Sequence, residues 1–440
     1  VERSRGLGDV YKRQKYGGGI FLIIYIVLAL TFGYTMIVAE TAIGRMTRKS
    51  PVGAFKSFGK KKWLSFGGWI NAVIPVLIVP YYSVIGGWVI KYLVEYFRGN
   101  AKLLAEDGYF TDFISNGVST ELCFVAFCAF TLIIIFAGVQ NGIERVSKIM
   151  MPILIVLSVI IAVYSVTRPG ALEGVKYFLV PNVKNFSWMT VVAAMGQMFY
   201  SLSIAMGILI TFGSYMKKDT AIEDSTRNVE IFDTGIAIMA GLMIIPAVFA
   251  FSGGDPGTLQ AGPSLMFITI PKVFQNMGFG TVIGIVFFLL VLFAAVTSSI
   301  ALTESAVSTF EDELGWNRKK ATLVLAVIMV SLGSLSCLGY GPLANVTIIG
   351  MQFLDFFDFL TNSVMMPIAA IATCLLVSKV VGTKSIEEEV MHGESTFRRK
   401  KIFNVMIRYL CPIFATIILI SSVANAFGWI TTVSYTHLTL

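Results

Sequence analysis

The sequence has little charge for its length. Only 14% of its 440 residues are charged and 56% are hydrophobic, whereas soluble domains carry about 25% charged residues. The mean hydropathy is +0.77. This composition leaves little room for a separate soluble domain and predicts an all-α polytopic membrane protein. The net charge of +8 is then interpreted as loop charge that sets topology, and no nucleic-acid partner is expected.

Residues that carry out chemistry are also scarce. The two histidines are His392, in a charged loop, and His437, near the C-terminus. No Gly-x-Ser-x-Gly or His-Glu-x-x-His motif is present, so no nucleophile–base pair is visible and an enzyme is not expected. The cysteines are scattered singly through or beside apolar runs, which predicts small buried thiols without a disulfide framework or a metal site. They are Cys123, Cys128, Cys337, Cys374 and Cys411.

About ten apolar runs are each long enough to cross a bilayer, which takes about 20 residues. They cover approximately 18–43, 68–96, 121–138, 149–167, 188–214, 231–252, 281–310, 321–338, 349–379 and 403–430. The loop between the first two runs carries basic residues and no acid between Arg45 and Lys62, so we expect it to be cytoplasmic. Simple alternation then places the later basic clusters on the same side. Lys384 to Lys401 is predicted to be a charged cytoplasmic link, with a solvated face as the alternative interpretation.

Two features of the chain do not follow this pattern. Alternation puts the basic N-terminus outside, so we expect at least one further span upstream. Residues 1–14 and 433–440 are expected to be non-native tails, which leaves 15–432 as a single transmembrane domain; the alternative is a short native basic tail. The stretch from Ser252 to Gly280 is interpreted as a helical hairpin over the outer mouth.

The run at 188–214 has an unusual centre, Gly196-Gln197-Met198-Phe199-Tyr200-Ser201-Leu202-Ser203-Ile204-Ala205-Met206-Gly207. Glycine weakens a helix by about 1 kcal/mol, and serine can bond carbonyls that an unwound turn leaves free. One interpretation is a helix broken at mid-membrane, with its backbone turned toward an ion or a small polar solute. The other is an unbroken helix packed through its small residues.

Several spans also carry carboxylates, which are costly in a membrane and by default suggest an ion or proton path. They are Glu40, Asp233, Glu304, Asp355 and Asp358. Glu40 has an alternative role as a bond to a neighbouring helix end, and Asp358 as an interfacial anchor. Adjacent hydroxyls at Thr297, Ser298 and Ser299 offer neutral oxygens that suit Na⁺ better than a soft metal. Helix packing is the alternative for these hydroxyls and for the pair Tyr81-Tyr82.

Together these segments resemble the neurotransmitter:sodium symporter family, which has the LeuT fold. The resemblance covers roughly residues 15–430. It rests on Gly17-Gly18-Gly19, Glu40 with Gly44-Arg45, Tyr81-Tyr82, Gly142-Ile143-Glu144-Arg145 with Lys148 and Pro152, Gly196 to Ser203, Thr297-Ser298-Ser299 and Glu311-Asp312-Glu313-Leu314. It implies a LeuT-type inverted-repeat bundle in which the ten runs are family helices two to eleven, with the first helix lacking.

The resemblance also implies specific sites. One sodium site would use the carbonyl of Ala294 with Thr297 and Ser298, and the other would use Ser201 and Asp233. Asp358 resembles the acidic half of an outer gate. The solute pocket would be formed by Ile78, Tyr82, Tyr200, Ser201, Ser203, Met206, Ser298 and Leu302.

Two substitutions relative to the family pattern refine this expectation. Many relatives have asparagine at the position of Asp233, so a fixed carboxylate there could replace a bound chloride, and chloride is not expected to be required. Met206 stands where an aromatic residue is frequent, and methionine is adaptable. We therefore expect a hydrophobic or aromatic neutral amino acid as the solute.

The expected function is Na⁺-coupled symport of this amino acid across the inner (plasma) membrane, in contact with the lipid bilayer. A proton-coupled amino-acid permease, in which Asp233 titrates, is the first alternative. The second is an inert membrane fragment, because the chain as written lacks half of the implied binding site and is itself expected to be inactive.

Overall fold

The computed structural model describes residues 18–183, 186, 188–253 and 263–427. Within them, nine helices are long and apolar enough to cross a membrane. A tenth span is divided into two half-helices. We number the long helices α1 Gly19–Thr47, α2 Lys62–Phe97, α3 Gly117–Phe136, α4 Gly142–Val166, α5 Trp188–Ser201, α6 Ile208–Tyr215, α7 Ile222–Ser252, α8 Leu265–Gln275, α9 Gly280–Leu314, α10 Arg318–Leu338, α11 Phe353–Val381 and α12 Lys400–Ala426.

The prediction of an all-α polytopic protein with about ten spans is confirmed. Short helices connect the spans at Pro51–Ser57, Ala101–Leu104, Tyr109–Ser115, Ala171–Leu179 and Thr383–Val390. Apart from one bridge between Ile348 and Met351, the described part contains no strand. The predicted tails at 1–14 and 433–440 lie outside the described residues. The described cysteines are all free, as expected.

The longest helices, α2 and α9, pack along each other at the centre of the bundle. At 36 residues, α2 is about 54 Å long, more than a bilayer core requires, so it tilts or projects beyond the membrane. Glycines allow the close approach of its neighbours. A Cβ on Gly284 of α9 would lie 2.2 Å from the ring of Tyr96, and one on Gly87 of α2 would lie 2.7 Å from the backbone nitrogen of Phe124. Small residues at such contacts are typical of membrane helix packing.

Helix α8 covers one end of this bundle, on the side that the charge pattern assigns to the exterior. The Tyr92 hydroxyl donates to the carbonyl of Phe267 over 2.8 Å. The Phe267 ring stacks on Phe110 with 5.1 Å between centroids. Lys272 forms an ion pair with Asp107. The expected covering element is therefore present. Residues 254–262 of the predicted hairpin lie outside the described part.

Part of the charged link 384–401 is buried, contrary to the alternative interpretation of a solvated face. Glu389 is 6% exposed and receives a 2.6 Å hydrogen bond from Nε of Arg45, which is completely buried. The backbone nitrogens of Arg398 and Arg399 donate to Glu223 at the start of α7. The link thus packs against α1 and α7. Its Glu389 carboxylate pairs with the buried guanidinium of Arg45, and its main-chain donors bond the carboxylate of Glu223.

Candidate functional site

The polar run at 188–214 forms a broken helix. Helix α5 ends at Ser201 and α6 begins at Ile208. Between them Ser203, Ala205 and Gly207 adopt positive φ values of 54°, 58° and 74°, a conformation that costs non-glycine residues about 1–2 kcal/mol. A Cβ on Gly207 would lie 2.8 Å from the carbonyl oxygen of Asn71. The prediction of a mid-span break is confirmed, and the alternative of an unbroken packed helix is wrong.

One carboxylate stabilises the backbone of this break. Oε1 of Glu40 accepts a hydrogen bond from the backbone nitrogen of Ala205 at 2.8 Å, and Glu40 is completely buried. The alternative role of Glu40, a bond to the neighbouring helix, is confirmed. In the described part, the carbonyls of residues 202–206 accept no main-chain hydrogen bond. The break therefore presents free carbonyl oxygens at mid-span.

A second carboxylate lies against the end of α5. Oδ1 of Asp233 accepts a hydrogen bond from the Ser201 hydroxyl at 2.5 Å. Its Oδ2 accepts one from the Tyr25 hydroxyl, also at 2.5 Å. No ion pair neutralises Asp233 among the described residues. The arrangement places a carboxyl group, with two hydroxyls hydrogen-bonded to it, directly beside the break.

Tyr25 is the site residue that the sequence did not reveal. It is 3% exposed and lies on α1, 208 positions before Asp233. A single tyrosine in an apolar run is ordinarily a packing residue, and nothing in the local pattern pairs it with a carboxylate on α7. Only a search for donors to Asp233 in three dimensions identifies it.

The hydroxyls of α9 separate into two groups. Thr297 donates to the carbonyl of Ala294 at 2.9 Å, and Ser298, which is exposed, has the phenol of Tyr82 beside it. Ser299 is completely buried and accepts a hydrogen bond from Thr131 on α3 at 3.1 Å. Thr297 thus bonds its own helix and Ser298 contacts Tyr82 on α2, whereas Ser299 contacts α3 and fits the packing alternative.

The apolar residues expected around a solute are nearly inaccessible. Ile78 is 0%, Met206 3% and Leu302 4% exposed. Tyr200 and Ser203 are half-buried. In the described part, no side-chain hydrogen bond joins the group at Asp233 to the group at Ser298. The structure therefore places the expected residues along the break and its neighbouring helices as two separate polar groups.

Asp358 lies at the start of α11, at the level of Tyr81. It is 5% exposed, and its Oδ1 accepts a 2.6 Å hydrogen bond from Nδ2 of Asn362. The Tyr81 hydroxyl shares a 3.1 Å hydrogen bond with Thr361. A π-helical turn, Phe359–Met365, follows directly, and such turns are frequent at functional sites. Burial of Asp358 argues against the alternative of an interfacial anchor.

Glu304 has a different environment from Asp233 and Asp358. It is completely buried, and its Oε2 forms an ion pair with Arg318 at 2.6 Å. Its Oε1 accepts a hydrogen bond from Tyr215 at 2.8 Å. Because its charge is compensated, Glu304 joins α6, α9 and α10 and is not free to serve an ion path. The described part contains no group of three or more His, Cys, Asp or Glu that could hold a metal ion.

Comparison with known proteins agrees with this architecture. The sequence model of the "Sodium:neurotransmitter symporter family" matches residues 5–106 and 110–437. An uncharacterized sodium-dependent transporter, YhdH of Bacillus subtilis (strain 168), is 32% identical, with 94% of this chain and 93% of the relative covered. An uncharacterized sodium-dependent transporter of Haemophilus influenzae (strain ATCC 51907 / DSM 11121 / KW20 / Rd) is 30% identical, with 92% and 91% covered.

A solved structure has the same fold. The crystal structure of MhsT in complex with L-phenylalanine is 34% identical in sequence, covers 94% of both chains and superposes with a TM-score of 0.83. The break within α5–α6 is thus part of a LeuT-type bundle, as the sequence predicted. The chain belongs to the sodium:neurotransmitter symporter family, and it is a sodium-dependent transporter of the plasma membrane, not an enzyme.

Proposed function

We propose that the protein couples the Na⁺ gradient to uptake of a neutral amino acid with a hydrophobic or aromatic side chain. The observation that carries this proposal is the contact of Ser201 with Asp233 at the helix break, 2.5 Å between oxygens. An uncompensated carboxylate and free carbonyls at mid-span form an environment that favours a monovalent cation. Transport is coupled if Na⁺ and solute both stabilise the same conformation.

Two cation positions are proposed. The first uses Ser201 and Asp233, with Tyr25 as a second hydroxyl that holds the carboxylate. The second uses the Ala294 carbonyl, Thr297 and Ser298. The 2.9 Å hydrogen bond between Thr297 and Ala294 supports the second position, because it keeps the two oxygens adjacent. Hydroxyl and carbonyl ligands are hard and neutral, as Na⁺ prefers.

The proposed solute pocket combines one polar end with apolar walls. Tyr82 donates to the solute carboxylate, Ser203 and Tyr200 line the break, and buried Ile78, Leu302 and Met206 provide apolar surface. MhsT, the structural relative, was crystallised with L-phenylalanine. A pocket wall containing methionine can adapt to an aromatic or a branched side chain. Asp358 is proposed to close the pocket from outside as the acidic half of a gate.

Chloride is proposed to be dispensable. An ion pair for Asp233 is absent from the described contacts, and its two oxygens are held by Ser201 and Tyr25. We propose that this carboxylate supplies the negative charge that a bound anion would otherwise provide to balance Na⁺. A macaque relative that is 25% identical is named as a sodium- and chloride-dependent GABA transporter, and we propose that this chain differs from it in not requiring chloride.

The direct test is uptake of radiolabelled amino acids by proteoliposomes that contain the protein expressed from its complete gene. We expect accumulation of a hydrophobic or aromatic amino acid with an inward Na⁺ gradient and none with choline in place of Na⁺. Equal uptake in both media would contradict the proposal. Uptake that follows a pH gradient and ignores Na⁺ would instead establish the proton-coupled alternative.

A further inference from the structure

A small cavity lies behind the proposed gate, between the first half of the broken helix and helices α11 and α12. Its polar side chains are Gln197, Tyr200, Asn362 and Ser422, and its apolar walls include Phe199, Met366 and Ile418. Three buried oxygens belong to these polar residues: Oε1 of Gln197, Oδ1 of Asn362 and Oγ of Ser422. In the described part of the chain, none of the three has a hydrogen-bond partner. Buried polar atoms without a partner cost about 1–3 kcal/mol each, so three around one cavity indicate a ligand.

The orientation of one amide is fixed by its neighbour. Nδ2 of Asn362 donates to Oδ1 of Asp358 at 2.6 Å, which leaves the amide carbonyl of Asn362 as the atom that faces the cavity. Ser422 is 3% exposed, and its hydroxyl can donate or accept. The cavity thus presents two carbonyl acceptors and one hydroxyl donor.

We propose that this cavity is a binding site for one water molecule, which hydrogen-bonds Gln197, Asn362 and Ser422 together. A water donates two protons and accepts through a lone pair, which matches two carbonyls and one hydroxyl. The cavity has room for about one water-sized particle, and buried waters typically make about three hydrogen bonds. A hard cation collects about six oxygen ligands, and no other unpaired side-chain oxygen lines the cavity among the described residues.

The bound water has a functional consequence that rests on the proposed gate. It connects Gln197 on α5 to Asn362, and Asn362 holds Asp358 on α11. Ser422 anchors the water from α12. The water and Asn362 therefore act as positioning groups, which keep the Asp358 carboxylate at a fixed orientation relative to the broken helix. Asp358 is held by Nδ2 of Asn362 and by the hydroxyl of Tyr81. Without the water, the Asn362 amide keeps its bond to Asp358 but loses the contact that fixes it relative to α5 and α12.

The first test is independent of transport. A crystal or cryo-EM structure of the whole protein at a resolution that shows ordered waters should contain one density peak about 2.7–3.0 Å from each of the three oxygens. Absence of the peak, or rotation of the oxygens to other partners, would overturn the proposal. Anomalous signal at the same position after a thallium soak would identify a monovalent cation there and would overturn it equally.

The second test measures positioning of the gate. Ser422→Ala should remove the peak and raise the KM for the amino acid about fivefold, the effect of one lost hydrogen bond, with a smaller change in kcat. Ser422→Thr, which keeps the hydroxyl, should restore KM. Thr373→Val is the matched control, because Thr373 is a buried, unpaired hydroxyl on α11 that does not line the cavity; it should leave KM unchanged.

The outcomes of the two tests separate the two proposals. Loss of the peak in Ser422→Ala without a change in KM would overturn the positioning role. A peak in a native protein that transports no amino acid would leave the water site intact and contradict the proposed function alone. An equal rise of KM in Thr373→Val would show a general packing effect and would also overturn the positioning role.

Discussion

Arg45 donates from Nε to Glu389 over 2.6 Å, although the two residues are 344 positions apart in the chain. The guanidinium also donates to the main-chain carbonyls of Thr220 and Glu389. Arg45 is completely buried. One arginine at the cytoplasmic end of α1 thus joins the segment before α7 to the link between α11 and α12. This inner junction lies on the side of the bundle opposite to α8.

The inner junction predicts a large loss of stability on substitution of either partner. Glu389→Gln and Arg45→Gln each leave a buried charge without its counter-charge, which costs about 3–5 kcal/mol. We expect a clear fall in the apparent melting temperature of the detergent-solubilised protein. Lys148→Gln is the control, because Lys148 and its partner Glu144 are 73% and 52% exposed and such pairs contribute under about 1 kcal/mol. Similar melting temperatures for the three variants would contradict the assignment.

The helix break predicts different costs for two glycines with nearly the same backbone conformation. Gly207 and Gly350 have φ values of 74° and 75°. A Cβ on Gly207 would lie 2.8 Å from the carbonyl of Asn71, whereas a Cβ on Gly350 would have no atom within 4 Å. Gly350→Ala should therefore cost only the conformational strain of about 1 kcal/mol. Gly207→Ala should cost more and reduce Na⁺-dependent uptake, because the break must shift away from α2.

The comparison is made by thermal unfolding and by uptake at saturating substrate. The same small loss of melting temperature in both variants would show that Gly207 is needed for its φ alone. In that case the close approach of the break to α2 has no energetic importance.

The break was predictable because its signal is local. Two glycines and two serines within twelve residues of an apolar run do not suit a lipid-facing helix, and the break lies within this stretch, since α5 ends at Ser201 and α6 begins at Ile208. The pairing of Ser201 with Asp233 was also expected, but only through the family resemblance. Spacing along the chain does not indicate which residues of α5 and α7 meet.

Other features could not be predicted, for a related reason. Arg45 was assigned as one cation of a basic loop, and the segment that contains Glu389 as a charged cytoplasmic link with a solvated face as its alternative. Composition identifies charges near a membrane surface, but whether a charge is solvated or buried depends on a partner that is distant in sequence. Tyr25 is a similar case. A hydroxyl on an apolar helix has no sequence signature, and its role depends on Asp233, a carboxylate that is distant in sequence.

We expect the ion pair between Lys272 and Asp107, which holds the outer helix α8, to be insensitive to pH in the physiological range. Its Lys272 hydrogen-bonds Asp107 and lowers the pKa of that exposed carboxyl below the ordinary value of 3.8. A carboxylate with a lowered pKa keeps its favourable interaction above the unfolded-state pKa and loses it only as the pH falls through the folded-state pKa. Hydrogen exchange of residues 265–275 should therefore show the same protection at pH 5 and pH 8, after correction for the intrinsic rate.

Asp107→Asn should increase exchange in this helix at both pH values, with Glu106→Gln as the control. Glu106 is a neighbouring exposed acid that forms no ion pair among the described residues. Protection that changes between pH 5 and pH 8 in the native protein would show that another titrating group holds α8.

Asp233 gives the sharpest prediction on ions. Asp233→Asn keeps the size of the side chain and one acceptor oxygen for one of the two hydroxyls of Ser201 and Tyr25, and its amide nitrogen donates to the other. It removes the negative charge beside the break. A site that then binds Na⁺ needs another anion to balance it, so uptake by this variant should fall strongly in gluconate and recover at least partly in chloride. The native protein should transport equally in both media.

Tyr25→Phe is the matched control, because it removes one donor to the same carboxylate without changing its charge. It should weaken the apparent Na⁺ affinity about fivefold, the loss of one hydrogen bond, and remain independent of chloride. Chloride dependence in the native protein, or its absence in Asp233→Asn with full activity, would show that the carboxylate does not act as the fixed anion.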